Sequence, residues 1–159
     1  MKLLFISLGC DNNLVDSEEM LGMLAADGHQ IVDVEDEAEV IIVNTCCFIG
    51  DAKEESVNTI LEMAEKKKAG TCRVLIVTGC MAQRYKKEIS EEIPEVDAIL
   101  GTTSYCDIIK AVNEAEAGRH FEEYKSIDFL PDISGKRMLT TGGHFAYLKI
   151  AEGCDKHCT

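Results

Sequence analysis

Three cysteines in this chain each follow an apolar run and a small polar or glycyl step. Leu3 to Gly9 leads to Cys10, Val40 to Thr45 leads to Cys46, and Val74 to Gly79 leads to Cys80. They recur at intervals of 36 and 34 residues, from 10 to 46 to 80, about the length of one strand-helix-strand unit. The spacing predicts three thiols at the same end of one parallel sheet. In an open α/β sheet that end, the carboxyl end of the strands, is where ligands bind. Thiolates are soft donors, and three of them converging predict a soft metal or an iron–sulfur cluster. A cysteine-only zinc site usually takes four ligands, so zinc would need Cys47 as well. A cluster with one open iron needs only three, and a disulfide would leave one thiol over. The plainer alternative is that each is a small hydrophobe buried at a strand end. Three in equivalent places weigh against that.

A second pair, Cys154 and Cys158, is separated by three residues and comes after Gly153, following the run His144 to Ile150, which alternates like a strand. A Cys-x-x-x-Cys-x-x-Cys run lets three thiolates hold three irons of a [4Fe-4S] cluster and leaves the fourth iron open to a small molecule. Only its first two positions fall within these 159 residues. The run therefore predicts a chain that continues into a second domain. Cys47, Cys72 and Cys106 read as structural, with Cys47 pointing away from Cys46. His29, His120, His144 and His157 form no pair at ligand spacing and read as surface or filler residues. Gln83, Arg84 and Tyr85 open the helix after Cys80, either lining the site or serving the helix surface.

Alternating strands and helices must position these thiols. Strands are predicted at Lys2 to Leu8, Gln30 to Val34, Val40 to Asn44, Arg73 to Thr78 and Val96 to Leu100. Helices are predicted over about Leu14–Asp27, Asp51–Lys68, Ala82–Glu92 and from Thr102 or Thr103 to Ala117. Asn12 and Asn13 suit a helix cap, and Gly28 and Gly70 suit helix ends. The pattern predicts an α/β fold, a doubly wound, mostly parallel sheet of about five strands, flavodoxin- or Rossmann-like. Residues 1–118 form this domain, 119–143 a linker and 144–159 the start of a second domain. No Gly-x-Gly-x-x-Gly follows the first strand and there is no Walker-type loop, so nucleotide binding has no support here.

The bulk properties narrow the classes further. At 46% hydrophobic and 28% charged, the composition is that of a soluble globular domain. The net charge of −13 argues against gripping a phosphate backbone and fits a basic protein partner or solubility alone. Eight cysteines without secretory features predict a reducing, cytoplasmic setting with metal or redox use. The apolar run Leu3 to Leu8 is too short for a signal, and no stretch approaches a membrane span.

The segments Leu8-Gly9-Cys10-Asp11-Asn12-Asn13-Leu14-Val15-Asp16-Ser17-Glu18, Asn44-Thr45-Cys46 and Thr78-Gly79-Cys80-Met81-Ala82-Gln83-Arg84-Tyr85 resemble the N-terminal domain of the radical S-adenosylmethionine methylthiotransferases. Ala146 to Cys158 is similar to the start of their radical domain, a barrel. The Leu-Val-Asp-Ser-Glu run is most like the RimO-type branch, which modifies the β-carbon of an aspartate in small-subunit ribosomal protein twelve. Asn12 stands where that branch typically carries lysine, and Gly142-Gly143 where proline is usual. The resemblance implies two [4Fe-4S] clusters in the parent enzyme. Cys10, Cys46 and Cys80 would hold an auxiliary cluster carrying the transferred sulfur, and Cys154 and Cys158 would share the radical cluster with a third cysteine. It implies S-adenosylmethionine as methyl donor and radical source, a ribosomal protein as substrate, and little activity for this segment alone. The alternatives are a transfer RNA adenosine methylthiotransferase, or a non-catalytic metal-binding flavodoxin-like module.

Overall fold

The structure, a computed structural model, describes residues 1–130, 135 and 137–151. The strands are β1 (Lys2–Ser7), β2 (Gln30–Val32), β3 (Val40–Thr45), β4 (Val74–Gly79), β5 (Ala98–Leu100) and β6 (Phe121–Glu123). The helices are α1 (Asp11–Ala26), α2 (Gly50–Lys68), α3 (Cys80–Arg84), α4 (Lys86–Glu92) and α5 (Ile108–Glu116). Every strand pairs in parallel, in the order β2-β1-β3-β4-β5-β6. The first five follow the flavodoxin order, whose switch point lies between β1 and β3.

Alternation along each strand sorts its side chains into two cores. Leu3, Val40, Ile42, Val74, Ile76, Ala98 and Leu100 pack beneath α1 and α5 with Met20, Leu24, Ile108 and Val112. Leu4, Ile41, Val43, Leu75, Val77 and Ile99 pack on the other face with Ile60, Met63, Met81 and Ile89. Both faces are covered, so β3 and β4 are buried at every residue and read as unbroken apolar runs. Among the described residues no helix is long and apolar enough to cross a membrane.

Four local features differ from the expectation. First, the sheet has six strands among the described residues: β6 lies in the stretch expected to be linker and pairs with β5 from Ala98↔Phe121 to Leu100↔Glu123. It is short and acidic, as edge strands often are, and so carries little apolar signal. Second, the helix expected from Ala82 splits at Tyr85, which leaves helical geometry at φ −118° and ψ 33°. Its ring sits 4.2 Å beneath Lys53 Nζ, and Cys80 is drawn into the first turn of α3. Third, a 3-10 turn at Tyr105–Asp107 replaces the start of the last helix and takes Cys106 out of it.

Fourth, His144 to Ile150 forms no strand. A strand needs a backbone partner, and this segment lies instead against α1 as part of a strap. Arg137 donates to Glu18 Oε2 from Nε at 2.7 Å and Nη2 at 2.5 Å, and to the Tyr147 carbonyl from Nη1 at 2.7 Å. Thr140 donates to Glu18 Oε1 from its N–H at 2.6 Å and its hydroxyl at 2.8 Å. Lys149 reaches Asp16 at 2.7 Å, and the Tyr147 hydroxyl hydrogen-bonds Asp11. The alternation is therefore real but serves a helix. Tyr147 and Lys149 face α1, while Leu148 and Ile150 are 82% and 89% exposed.

Glu18 is fully buried under this strap. Burial alone would raise its pKa, but the Thr140 and Arg137 donors outweigh it and hold the carboxyl below its ordinary value. A carboxylate lowered on folding contributes stability above its unfolded pKa of about 4.3 and loses it as pH falls through the folded value. We expect Glu18→Ala to cost about 2–4 kcal/mol in a thermal or denaturant melt. It should also speed tryptic cleavage after Arg137 at neutral pH. The wild-type chain should keep the strap at pH 7 and release it, by hydrogen exchange, only below about pH 4.

Candidate metal centre

The three cysteines leave the sheet at one edge because the strands that carry them end in register. Ser7 pairs with Asn44 and Asn44 with Thr78, while Thr45 pairs with Gly79. Cys10 is the N-cap of α1, Cys46 follows β3 directly, and Cys80 opens α3. Two glycines let the chain make these exits. Gly9, at φ +94°, lies so close to Cys46 that a Cβ there would sit 2.5 Å from the Cys46 Cβ and 2.8 Å from its Sγ. Gly79, at φ +95° and ψ −161°, adopts a backbone region open essentially to glycine alone. A Cβ there would lie 2.3 Å from Asn44 Oδ1 and 2.5 Å from the Thr45 carbonyl.

The thiols differ in surroundings. Cys10 is exposed, Cys46 is buried and Cys80 is half-buried. Ser56 of α2 anchors the Cys46 peptide both ways: its hydroxyl accepts from Cys46 N at 3.0 Å and donates to Cys46 O at 2.9 Å. Cys80 Sγ lies 3.6 Å from Asn13 Oδ1. Burial, followed by the neighbouring thiols Cys47, Cys46 and Cys10, pushes the Cys80 thiol up to about 11. The four sulfurs thus sit within electrostatic reach of one another. An open cleft of about 740 Å³ adjoins them, lined by Gly9, Cys10, Cys46, Phe48, Ile49 and Glu55 among others.

Cys10, Cys46 and Cys80 therefore come to one edge, as their spacing predicts. Among the described residues, no three His, Cys, Asp or Glu side chains stand close enough to hold a single metal ion. The donor set suits a soft, multi-iron group better than one ion, because a cluster spreads its thiolates over several irons. Cationic charge among these sulfurs would also offset the burial and the repulsion that together raise Cys80. Cys154 and Cys158 lie outside the described residues, as does His157.

Other residues fall where packing puts them. Cys72 is buried in the core beneath α2. Cys47 packs against the same core, yet it is the foremost of the thiols acting on Cys80. Gln83 lies against Gly101 and Arg84 over the Tyr85 ring, so these residues and Tyr85 serve helix packing and line no part of the cleft. His29, His120 and His144 stay near Asp27, Glu122 and Gly142.

Sequence reasoning misassigned Asn13. The helix begins at Asp11 with no side-chain cap, and Asn13 is 3% exposed in its first turn. Its amide goes to the cysteine loops, and its carbonyl accepts from Asn44 Nδ2 at 3.0 Å and Ser17 Oγ at 2.8 Å. Capping propensity is a local signal and carries no trace of these long-range partners.

A flavodoxin-ordered parallel sheet that gathers thiols at its switch point defines a cysteine-bearing α/β domain. The chain matches the uncharacterized protein family UPF0004 over residues 2–101 and belongs to that family. It is 60% identical over its full length to the ribosomal protein uS12 methylthiotransferase RimO of Lachnoclostridium phytofermentans, covering 36% of that protein. Proteins of the same name from Solibacter usitatus and Symbiobacterium thermophilum are 51% and 49% identical, over 100% and 99% of this chain and 33% of each relative. The likeness to RimO-type methylthiotransferases read from the motifs is thus met along the whole chain. The chain spans about a third of the length of these curated relatives.

The Gly79 geometry carries a quantitative expectation. Gly79→Ala should lose at least about 2 kcal/mol in denaturant unfolding, from backbone strain plus overlap with Asn44 and Thr45. Gly50→Ala, where an added Cβ meets nothing within 4 Å, should change stability little.

Proposed function

We propose that this chain is the N-terminal part of a radical S-adenosylmethionine methylthiotransferase that modifies ribosomal protein uS12 at the β-carbon of an aspartate. The observation that carries the reading is the convergence of Cys10, Cys46 and Cys80 at the carboxyl ends of β1, β3 and β4. The names of the relatives support the substrate, and they favour a ribosomal protein over transfer RNA. The net charge of −13 suits a basic protein partner better than a phosphate backbone.

In this reading Cys10, Cys46 and Cys80 hold the auxiliary [4Fe-4S] cluster, and Cys154 and Cys158 contribute to a second one. When bound, the two clusters together with S-adenosylmethionine supply the sulfur, its methyl group and the radical that opens the substrate carbon. The residues of this chain do the holding. Ser56 fixes the Cys46 peptide, the glycines at 9 and 79 let the loops approach, and Gly9 rests against Cys46. Cys10, the most open of the three, lines the cleft beside the apolar Phe48 and Ile49. Three protein thiolates rather than four leave one iron free for the sulfur that is handed on.

Anaerobic reconstitution tests the site. The chain should take up about four irons and four sulfides at this site. Cys10→Ser, Cys46→Ser and Cys80→Ser should each abolish that uptake, while Cys72→Ser and Cys106→Ser should keep it. No uptake, or uptake indifferent to the first three changes, would overturn the reading.

A further inference from the structure

The three cysteine loops arrive from three different strands, and one side chain touches all of them. Asn13 Nδ2 donates to the Leu8 carbonyl at 3.0 Å, ahead of Gly9 and Cys10, and to the Thr45 carbonyl at 2.9 Å, ahead of Cys46. Asn13 Oδ1 accepts from Cys80 Sγ at 3.6 Å. A side-chain amide has two donor hydrogens and one acceptor oxygen, and all are in use. The two carbonyls also fix which end of the amide is nitrogen. Asn13 is itself held: Asn44 Nδ2 and Ser17 Oγ both donate to its backbone carbonyl.

We propose that Asn13 is the positioning residue of the thiol site, a clamp that sets the spacing of the Cys10 and Cys46 loops and, in the metal-free chain, also holds the Cys80 thiol. The proposal rests on reading those cysteines as cluster ligands. An amide matches the task where its isosteres do not. Aspartate would turn a carboxylate on two carbonyl oxygens, and leucine would leave both carbonyls bare in a buried place. The two carbonyl bonds are independent of what the sulfurs hold. The contact to Cys80 belongs to the free thiol, so a bound cluster would leave the clamp on the β1 and β3 loops in force.

The test uses Asn13→Ala and Asn13→Asp, the second keeping the shape while losing both donors, with Glu18→Gln as a control on the same helix. Hydrogen exchange of the metal-free chain reads the loops directly. Amides from Leu8 to Asn12 and from Cys46 to Phe48 should exchange about tenfold faster in both Asn13 variants, the loss of roughly one buried hydrogen bond, while the centres of β3 and β4 stay protected. Glu18→Gln should leave those loop amides unchanged. After reconstitution, iron should be lost to a chelator several-fold faster from the Asn13 variants than from wild type and Glu18→Gln. Unchanged loop exchange would overturn the clamp. Faster exchange with wild-type iron retention would reduce Asn13 to a structural residue and overturn its role at the site. A wild-type chain that takes up no iron would sink the cluster reading, and with it the positioning role, whatever the exchange data say of the loops.

Discussion

The pairing of β3 with β4, in register from Val40↔Val74 to Thr45↔Gly79 and buried on both faces, is the constraint on which the rest depends. Side chains alternate between the α1–α5 core and the α2–α4 core, so a one-residue slip would exchange the two sets along the whole strand. The same slip would move a strand end by about 3.3 Å. The packing of Ile41, Ile42, Leu75 and Ile76 thus sets the height at which Cys46 and Cys80 emerge. β1, registered on β3 from Leu3↔Val40 to Ser7↔Asn44, brings Cys10 to the same edge. The apolar core and the thiol site are one piece of geometry.

Between that core and the thiols lies a layer of buried polar side chains: Asn13, Ser17, Asn44, Thr45, Ser56 and Thr78. Such a layer is costly unless its members satisfy one another. Most do. Asn44 Nδ2 donates to Ser17 Oγ at 2.9 Å, Ser17 Oγ lies 2.7 Å from Ser7 Oγ, and Thr45 Oγ1 donates to the Thr78 carbonyl at 2.6 Å. Thr78 Oγ1 has no partner among the described residues. A wholly apolar layer would leave the loop carbonyls of Leu8 and Thr45 unpaired just where the chain must turn tightly. The network satisfies those carbonyls and makes the loops stiff where the sulfurs hang.

How much of this could be read in the sequence follows from the range of each signal. Apolar runs and their 34- to 36-residue recurrence encode the central strands, the parallel sheet and the shared edge of Cys10, Cys46 and Cys80, because burial on both faces leaves an uninterrupted pattern. β6 escaped because three residues at a charged edge carry almost no pattern. The run His144 to Ile150 alternates, but alternation reports two differing faces and not what covers them; here one face meets α1. Asn13 looked like a cap because its type favours caps, whereas its partner Thr45 lies 32 residues away. Cys47 looked inert beside Cys46, and only the fold shows its thiol acting on Cys80.

Helix α1 joins the two halves of the picture. Toward the sheet it presents Asn13 and Ser17 to the cysteine loops. Away from it, Asp11, Asp16 and Glu18 receive Tyr147, Lys149, Arg137 and Thr140 of the strap, and Tyr105 reaches Glu19 at 2.6 Å. The strap contacts and the loop contacts thus sit on adjacent turns of one helix, Glu18 lying five residues beyond Asn13. The acidic residues of α1 are thus more than a solvated face: they bind the segment that precedes Cys154 and Cys158 in sequence to the helix that carries Asn13.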